Sequence, residues 1–238
     1  MKKLFLALYV IALLGIFIYL SGCKKDDDNN NPTPDGTITD IDGNVYHTVT
    51  IGTQVWMVEN LKTTKYNDGT AIPLVTDGQT WANLTAPGYC WYENDAASYK
   101  TTYGALYNWY AVNTGKLCPT GWHVPTDAEW TTLTDYLGGE TVAGGKMKSI
   151  GKIEAGTGLW YSPNTGATNE SGFTAVPGGY RLDSGTFYDF GFYGYWWSSS
   201  AINTGSAWYW FMYYYDSNVY RSNSYKSSGF SVRCLRDF

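Results

Sequence analysis

The sequence has few of the residues that most catalytic and metal sites require. Among 238 residues there are only 2 His and 4 Cys, so a site built from three His ligands is excluded. Lys and Arg number 16 against 21 Asp and Glu, and this acidic balance argues against a nucleic-acid-binding surface. Gly-x-Ser-x-Gly elbows, His-Glu-x-x-His pairs and phosphate-binding loops are all missing. We therefore expect a protein that is not an enzyme, with no cofactor, no metal site and no nucleic-acid partner.

Aromatic residues, by contrast, are abundant. The chain contains 11 Trp, 22 Tyr and 9 Phe, or 18% of its residues, within a hydrophobic content of 44%. This composition is that of a folded protein and not of a disordered one.

The N-terminus reads as an export signal. Lys2 and Lys3 precede an apolar run at 4–20, which is the pattern of a signal peptide and is short for a stable membrane span of roughly 20 residues. The run ends in Leu-Ser-Gly-Cys at 20–23, which resembles a bacterial lipobox. The resemblance implies a signal peptide over 1–22 and a lipid-modified Cys23 that attaches the protein to a membrane. An ordinary signal peptide or an anchor helix is the alternative.

Residues 23–37 form a predicted flexible tether of Lys, Asp, Asn, Pro and Thr, without residues that could anchor a core. A Lys followed by acidic residues directly after Cys23 resembles the surface-export signal of Bacteroidetes lipoproteins. That implies an outer-membrane lipoprotein exposed at the cell surface, with the periplasmic face as the alternative. The remaining residues, 38–238, are expected to form a single domain.

This domain is predicted to begin with a hairpin. A turn at 40–44 leads into a strand at 45–51, which places Val45, His47, Val49 and Ile51 on one face, and Gly52-Thr53 turns the chain into a second strand at 54–57. The Asp-x-Asp-Gly-Asn run at 40–44 also resembles the start of a calcium loop. Because the downstream bidentate Glu is missing, calcium is possible here but not supported.

Helical patterns follow. Apolar residues recur at helical spacing, before a stop at Gly115, at Tyr103, Leu106, Tyr107 and Tyr110. Thr126 and Glu129 form a capping box for a second helix, whose buried stripe would be Trp130, Leu133 and Leu137 and which Gly138-Gly139 would end. A short third helix is predicted over 145–150, and short strands with long loops from residue 160 onward.

Three blocks of the sequence resemble the Fibrobacter succinogenes major paralogous domain family of surface or secreted proteins. They are D-I-D-G-N-V-Y with I-G-T-Q-V-W-M-V-E-N-L at 40–61, L-C-P-T-G-W-H-V-P-T-D-A-E-W at 117–130, and N-E-S-G-F, P-G-G-Y, W-W-S-S and S-V-R-C between 169 and 234. The second block also resembles the formylglycine-generating, sulfatase-modifying family, which has a variant of the C-type lectin fold. The resemblance implies an α+β, C-type lectin-like domain with two or three helices, short twisted mostly antiparallel strands and long loops.

The cysteines are interpreted in the light of this resemblance. Lectin-like folds join the region of Cys118, before the capped helix, to that of Cys234, in the last predicted strand, so we expect this disulfide and a buried free thiol at Cys90. Pairing of Cys90 with Cys118 is the alternative. Sulfatase-modifying enzymes work through a reactive cysteine pair, and a structural disulfide accounts better for Cys118 and Cys234.

The functional hypothesis is based on the Trp- and Tyr-rich segment in the last fifth of the sequence. A strand over 208–215 would be aromatic on both faces, so one face can pack on the core while the other stays partly exposed to stack on a ligand. The candidate ligand-binding residues are Trp196, Trp197, Trp208, Tyr209, Trp210, Tyr213 and Tyr215. The predicted function is binding of a glycan or another extracellular ligand. The alternatives are a protein-interaction or adhesin component of a surface assembly and, third, an enzyme of the sulfatase-modifying type.

Overall fold

The computed structural model describes residues 35–237. The predicted signal peptide, Cys23 and most of the predicted tether lie outside these residues. Within the described part of the chain, no helix is long and apolar enough to cross a membrane.

The described residues form an α+β fold with two sheets and five α-helices. The strands are β1 (Gly36–Thr39), β2 (Val45–Ile51), β3 (Gln54–Met57), β4 (Tyr89–Cys90), β5 (Leu106–Asn108), β6 (Trp122–His123), β7 (Gly178–Arg181), β8 (Phe187–Phe190), β9 (Tyr193–Ala201), β10 (Ser206–Tyr213), β11 (Val219–Tyr225), β12 (Gly229–Phe230) and β13 (Leu235–Arg236). The helices are α1 (Gly78–Ala82), α2 (Ala96–Tyr103), α3 (Trp109–Val112), α4 (Asp127–Tyr136) and α5 (Glu140–Met147), with a 3-10 helix at Tyr92–Asn94.

The first sheet has the strand order β1-β2-β3-β13-β6, in which neighbouring strands are antiparallel. The predicted hairpin is confirmed, because Ile51 pairs with Gln54 across a turn in which Gly52 has a φ of +63°, a conformation that glycine adopts without strain. The four residues predicted to share one face of β2 do not share one environment. Val49 and Ile51 are buried, whereas Val45 and His47 are exposed and Tyr46 is buried in their place. The reason is that β2 crosses between two cores: its start packs through Tyr46 into one, and its end packs through the opposite face into the other.

The second sheet has the order β11-β10-β9-β7-β12-β5-β4, and β8 pairs with β7 outside this path. Its pairs are antiparallel except for the parallel pair of β7 and β9. It corrects the first predicted helix. Leu106 and Tyr107 lie in β5, where they pair with β4 and β12, and Gly104 at a φ of +75° separates them from α2. Strand pairing between segments distant in sequence has overridden a local helical spacing.

Helix α4 confirms the capping-box prediction. The Thr126 side chain accepts from the Glu129 backbone N–H, and the Glu129 carboxylate accepts from the Thr126 backbone N–H at 2.7 Å. Trp130 and Leu133 are buried on the core side of the helix, as is Leu137 at its end. The third predicted helix is displaced: α5 begins at Glu140 and ends at Met147. Its glycines allow close approach, since a Cβ at Gly144 would collide with the carbonyl oxygen of Asn218.

Tryptophan builds the interior of the domain. Ten of the eleven tryptophans are buried, and the exception is Trp208. The disulfide between Cys118 and Cys234 is confirmed, and it closes a separation of 116 residues. Cys90 is a buried free thiol whose pKa burial raises to about 12, so the alternative pairing of Cys90 with Cys118 is wrong.

Candidate functional site

The most distinctive surface of the domain lies on one side of the second sheet. Five adjacent strands, in the order β8-β7-β9-β10-β11, present aromatic side chains on the same side. We call this surface the aromatic face. Its members are Tyr180, Tyr188, Tyr193, Tyr195, Tyr209, Phe211, Tyr213 and Tyr220.

Strand alternation and register bring these rings together. Side chains two residues apart on a strand share a face, so Tyr209, Phe211 and Tyr213 project from the same side of β10. Tyr195 and Tyr220 flank Phe211 as its register partners on β9 and β11. Directly opposed aromatic residues stabilise neighbouring strands, so the face also contributes to the sheet that carries it.

The rings form a continuous row across the strands. The centroids are 5.9 Å apart for Tyr188 and Tyr180, and 4.9 Å for Tyr180 and Tyr195. The row continues at 5.7 Å from Tyr195 to Phe211 and at 4.9 Å from Phe211 to Tyr220. Since adjacent strands lie about 4.8 Å apart, the row is roughly 19 Å long.

The two sides of these strands differ in burial. Trp196, Trp210 and Met212 point away from the aromatic face into a core shared with Trp130 of α4. On the aromatic face, Tyr188 is 43% exposed, and its other members are half-buried apart from the buried Tyr195. A contiguous patch of partly exposed rings on a folded domain indicates an interaction surface.

Polar groups lie among the rings. The Tyr195 hydroxyl donates to Asp189 Oδ2 at 2.7 Å, and the Tyr220 hydroxyl donates to Asp216 Oδ2 at 2.7 Å. Burial, reinforced by the Asp189 carboxylate, holds the pKa of Tyr195 far above its ordinary value, so this phenol stays protonated. The aromatic face therefore combines apolar rings with hydroxyl and carboxylate groups that can bind polar substituents of a ligand.

The structure divides the predicted ligand-binding residues into three groups. Trp196, Trp197 and Trp210 are at most 1% exposed and belong to the core, so no ligand reaches them in this structure. Trp208 is partly exposed, but the Arg221 guanidinium covers its ring at 3.5 Å from the centroid.

Tyr209 and Tyr213 belong to the aromatic face, and Tyr215 lies beside it, 61% exposed and 6.2 Å from the Tyr213 ring. Sequence reasoning missed the contribution of β7 and β8. Tyr180 and Tyr188 are register partners across a hairpin. The Asp-Ser-Gly turn signal at 183–185 between them could have revealed that hairpin.

The candidate catalytic and metal-binding groups have other partners. His47 contacts Glu59 at 2.6 Å, and His123 contacts both Glu129 and Asp237. The Asp40 carboxylate accepts from the Asn44 backbone and from the Tyr46 hydroxyl, which makes residues 40–44 a closed turn. Across residues 35–237, no group of three or more His, Cys, Asp or Glu side chains is arranged to hold a metal ion.

Comparison with known protein families gives one match. Residues 49–236 match the Fibrobacter succinogenes major domain. The chain belongs to this family. No curated protein and no solved structure matches it.

The blocks that carry the Fibrobacter succinogenes major domain signature meet in the core around Arg233. This side chain is fully buried; it donates to the carbonyl oxygen of Phe173 and, at 2.9 Å, to Asn60 Oδ1. The same Asn60 oxygen accepts from Trp196 Nε1 at 2.8 Å. Burial lowers the pKa of Arg233 to about 9. These signature residues therefore hold the scaffold together, and the aromatic face lies outside their hydrogen-bond network.

Proposed function

We propose that this protein is a lipid-anchored outer-membrane lipoprotein, exposed at the cell surface, whose aromatic face binds a glycan. The observation that carries the proposal is the aromatic face itself: a row of partly exposed rings on a sheet whose central strands β9 and β10 bury Trp196, Trp210 and Met212 on their other side. Sugar rings have apolar C–H faces that stack on aromatic side chains, and their hydroxyls hydrogen-bond to groups such as the tyrosine hydroxyls and Asp189.

The predicted anchor explains how such a face would be used. A lipid on Cys23 and a tether over 23–37 would hold the domain near the membrane while letting it turn toward its ligand. The first strand begins at Gly36, within the last two residues assigned to the tether.

We further propose that the fold is C-type lectin-like. In that fold the chain ends lie close together, and β1 and β13 belong to the same five-stranded sheet. Five helices and mixed sheets in an α+β arrangement support the same assignment.

A binding role without catalysis is part of the proposal. The two cysteines that a sulfatase-modifying mechanism would need are joined in a buried disulfide, and Cys90 is sealed in the core with a raised pKa. His47 and His123 are both engaged with carboxylates.

Polysaccharide pull-down with the full-length protein in a neutral detergent tests the binding role. Wild-type protein is expected to be retained by at least one insoluble or immobilised glycan, and Tyr188→Ala and Tyr213→Ala should each weaken retention. Tyr225→Ala is the matched control, because Tyr225 is 62% exposed on β11 but projects from the opposite side of the sheet. Equal losses for all three variants, or no retention on a broad panel, would contradict the proposal.

Lipid attachment and location are tested separately. Fatty-acid labelling should be lost in Cys23→Ser, and protease added to intact cells should cleave the wild-type domain. A labelled but protease-protected protein would place it on the periplasmic face instead.

A further inference from the structure

The two charged side chains that hydrogen-bond to rings of the aromatic face are both acidic. Asp189 lies in β8 and accepts from Tyr195, while Asp216 follows β10 and accepts from Tyr220. The buried Lys148 ammonium donates to the Asp216 carbonyl oxygen at 2.6 Å, so within the described part of the chain only Asp189 of these two lacks a nearby cation. The Asp189 charge contributes to the raised pKa values of Tyr180, Tyr193, Tyr195 and Tyr209. Burial is the larger cause of each shift, and this carboxylate adds to it at four of the eight rings of the face.

The five strands carry only two basic residues, and neither belongs to the face. Arg181 follows Tyr180 on β7, so it projects from the opposite side, where it donates to the carbonyl oxygens of Val75 and Thr76. Its guanidinium also lies 4.5 Å from the centroid of the Trp81 ring, inside the core.

Arg221 shows the same arrangement on β11. It follows Tyr220 and projects away from the aromatic face, where its guanidinium forms two contacts with Asp127, at 2.7 and 2.6 Å. Because Asp127 and the Trp208 ring hold this cation on the far side, it is not available to a ligand on the face.

The length of the aromatic face indicates the size of the ligand. The row of rings runs across five strands for roughly 19 Å. A terminal sugar would cover only one or two of these rings, whereas a polymer lying across the strands would contact the whole row.

From these observations we propose that the ligand of the aromatic face is the interior of an uncharged polysaccharide chain, and that Asp189 excludes polysaccharides bearing carboxylates or sulfates. This inference rests on the proposed glycan-binding function. Stacking on the rings favours any sugar polymer, while an anionic substituent would be placed beside Asp189, which forms no salt bridge with a basic side chain among residues 35–237. Like-charge placement of this kind discriminates between ligands that otherwise make the same contacts.

The test compares polysaccharides that share a backbone and differ in charge. Full-length protein in neutral detergent is titrated against hydroxyethylated and carboxymethylated forms of the same β-glucan, mannan and galactan. An ionic strength near 0.15 M is suitable, because charges further away than about 8 Å are then largely screened. For the backbone that binds, the carboxymethylated form is expected to bind about tenfold or more weakly. Affinity should also rise with oligosaccharide length.

The variant Asp189→Asn tests whether the charge of Asp189 causes the discrimination against anionic polysaccharides. The amide retains an acceptor for the Tyr195 hydroxyl, and Asn tolerates the positive φ of 63° at this position well. In this variant the ratio of the affinities for the hydroxyethylated and carboxymethylated forms should fall toward one, whatever the change in the affinity for the hydroxyethylated form. Asp135→Asn is the matched control, since it removes an equal charge from an exposed position on α4.

The outcomes separate the two proposals. If the anionic forms bind as well as the neutral ones, or if Asp135→Asn changes the selectivity as much as Asp189→Asn, this inference is overturned while glycan binding stands. Tight binding of short oligosaccharides without further gain from longer ones would overturn the polymer assignment. If no polysaccharide of either charge binds, or if the face variants lose only a protein partner, the proposed function itself fails.

Discussion

Replacing Asn60 by Ala is expected to destabilise the domain by several kcal/mol. The Asn60 side chain is 2% exposed and has three partners. Its oxygen accepts from Trp196 Nε1 at 2.8 Å and from an Arg233 amino group at 2.9 Å, and its amide donates to the Tyr103 carbonyl at 2.9 Å. The alanine variant leaves two buried donors and one buried acceptor unpaired.

The magnitude follows from these three groups. Each unpaired buried polar group costs about 1–3 kcal/mol, and a charged one costs more. The Arg233 amino group keeps a weak contact with the Thr174 carbonyl at 3.4 Å, which recovers part of its loss. We therefore expect a loss of about 4 kcal/mol, a large fraction of the roughly 5–15 kcal/mol that stabilises an ordinary domain.

Equilibrium unfolding in urea, followed by tryptophan fluorescence with the disulfide intact, measures this loss. Asn60→Asp is the informative comparison. It keeps an acceptor for both donors and gives the buried guanidinium a carboxylate, but it loses the donor to the Tyr103 carbonyl, so its cost should be smaller than that of the alanine variant without being zero. Asn223→Ala, at an exposed position on β11, should stay within about 0.5 kcal/mol of wild type. A cost below about 1 kcal/mol for Asn60→Ala, or equal costs for the alanine and aspartate variants, would refute the account of this core.

Three further predictions concern stability. Replacing Cys118 and Cys234 together by Ser should cost about 5 kcal/mol in the chain-entropy picture, because the cross-link spans 116 residues, and unfolding midpoints of the oxidised and variant proteins that coincide would contradict this. Thr126→Ala should cost about 1 kcal/mol through loss of the α4 cap, measured by urea unfolding, and a gain in stability would be contrary evidence. Contacts with Glu129, against the opposing effect of burial, raise the pKa of His123 above 6.5, so its contribution is complete below pH 6.5 and is lost as pH rises through the raised pKa. Burial opposes ionisation of Glu129, but His123 and the helix cap lower its pKa from 4.5 to about 2, so its contribution is present above pH 4.5 and is lost as pH falls toward 2. In wild-type protein the melting temperature should therefore fall as pH rises above 6.5, and in His123→Gln this fall should disappear. The same fall in both proteins would disprove the assignment.

Local signals predicted local structure well. The capping box at Thr126 and Glu129 and the turn at Gly52 each involve a few neighbouring residues, and both were correct. The failures have a different origin. Leu106 and Tyr107 follow a helical spacing but lie in β5, because their partners on β4 and β12 come from segments that no local pattern can identify.

For the aromatic segment, the sequence predicted the two-sided character of β10 but not which individual rings are buried. Alternation along β10 correctly indicated one core face and one partly exposed face. Burial of both Trp196 and Trp197 could not be read from the sequence, because β9 is covered on both sides at these positions: Trp196 packs toward α4, and Trp197 packs against Phe230 at 4.5 Å. The contribution of Tyr180 and Tyr188 required knowing that β7 lies beside β9.

The strand order of the first sheet has a consequence for how the chain folds. Strand β13, which follows all the other described strands in the sequence, lies between β3 and β6 and pairs with both of them. A chain emerging from its N-terminal end can close the β2–β3 hairpin early, but the sheet and the disulfide to Cys234 must wait for the final residues. Folding is therefore governed by contacts of high sequence separation, which is the slow regime for two-state domains. Until β13 is in place, Trp56 of β3 and Trp122 of β6 lack the strand that pairs with both of them in the finished sheet.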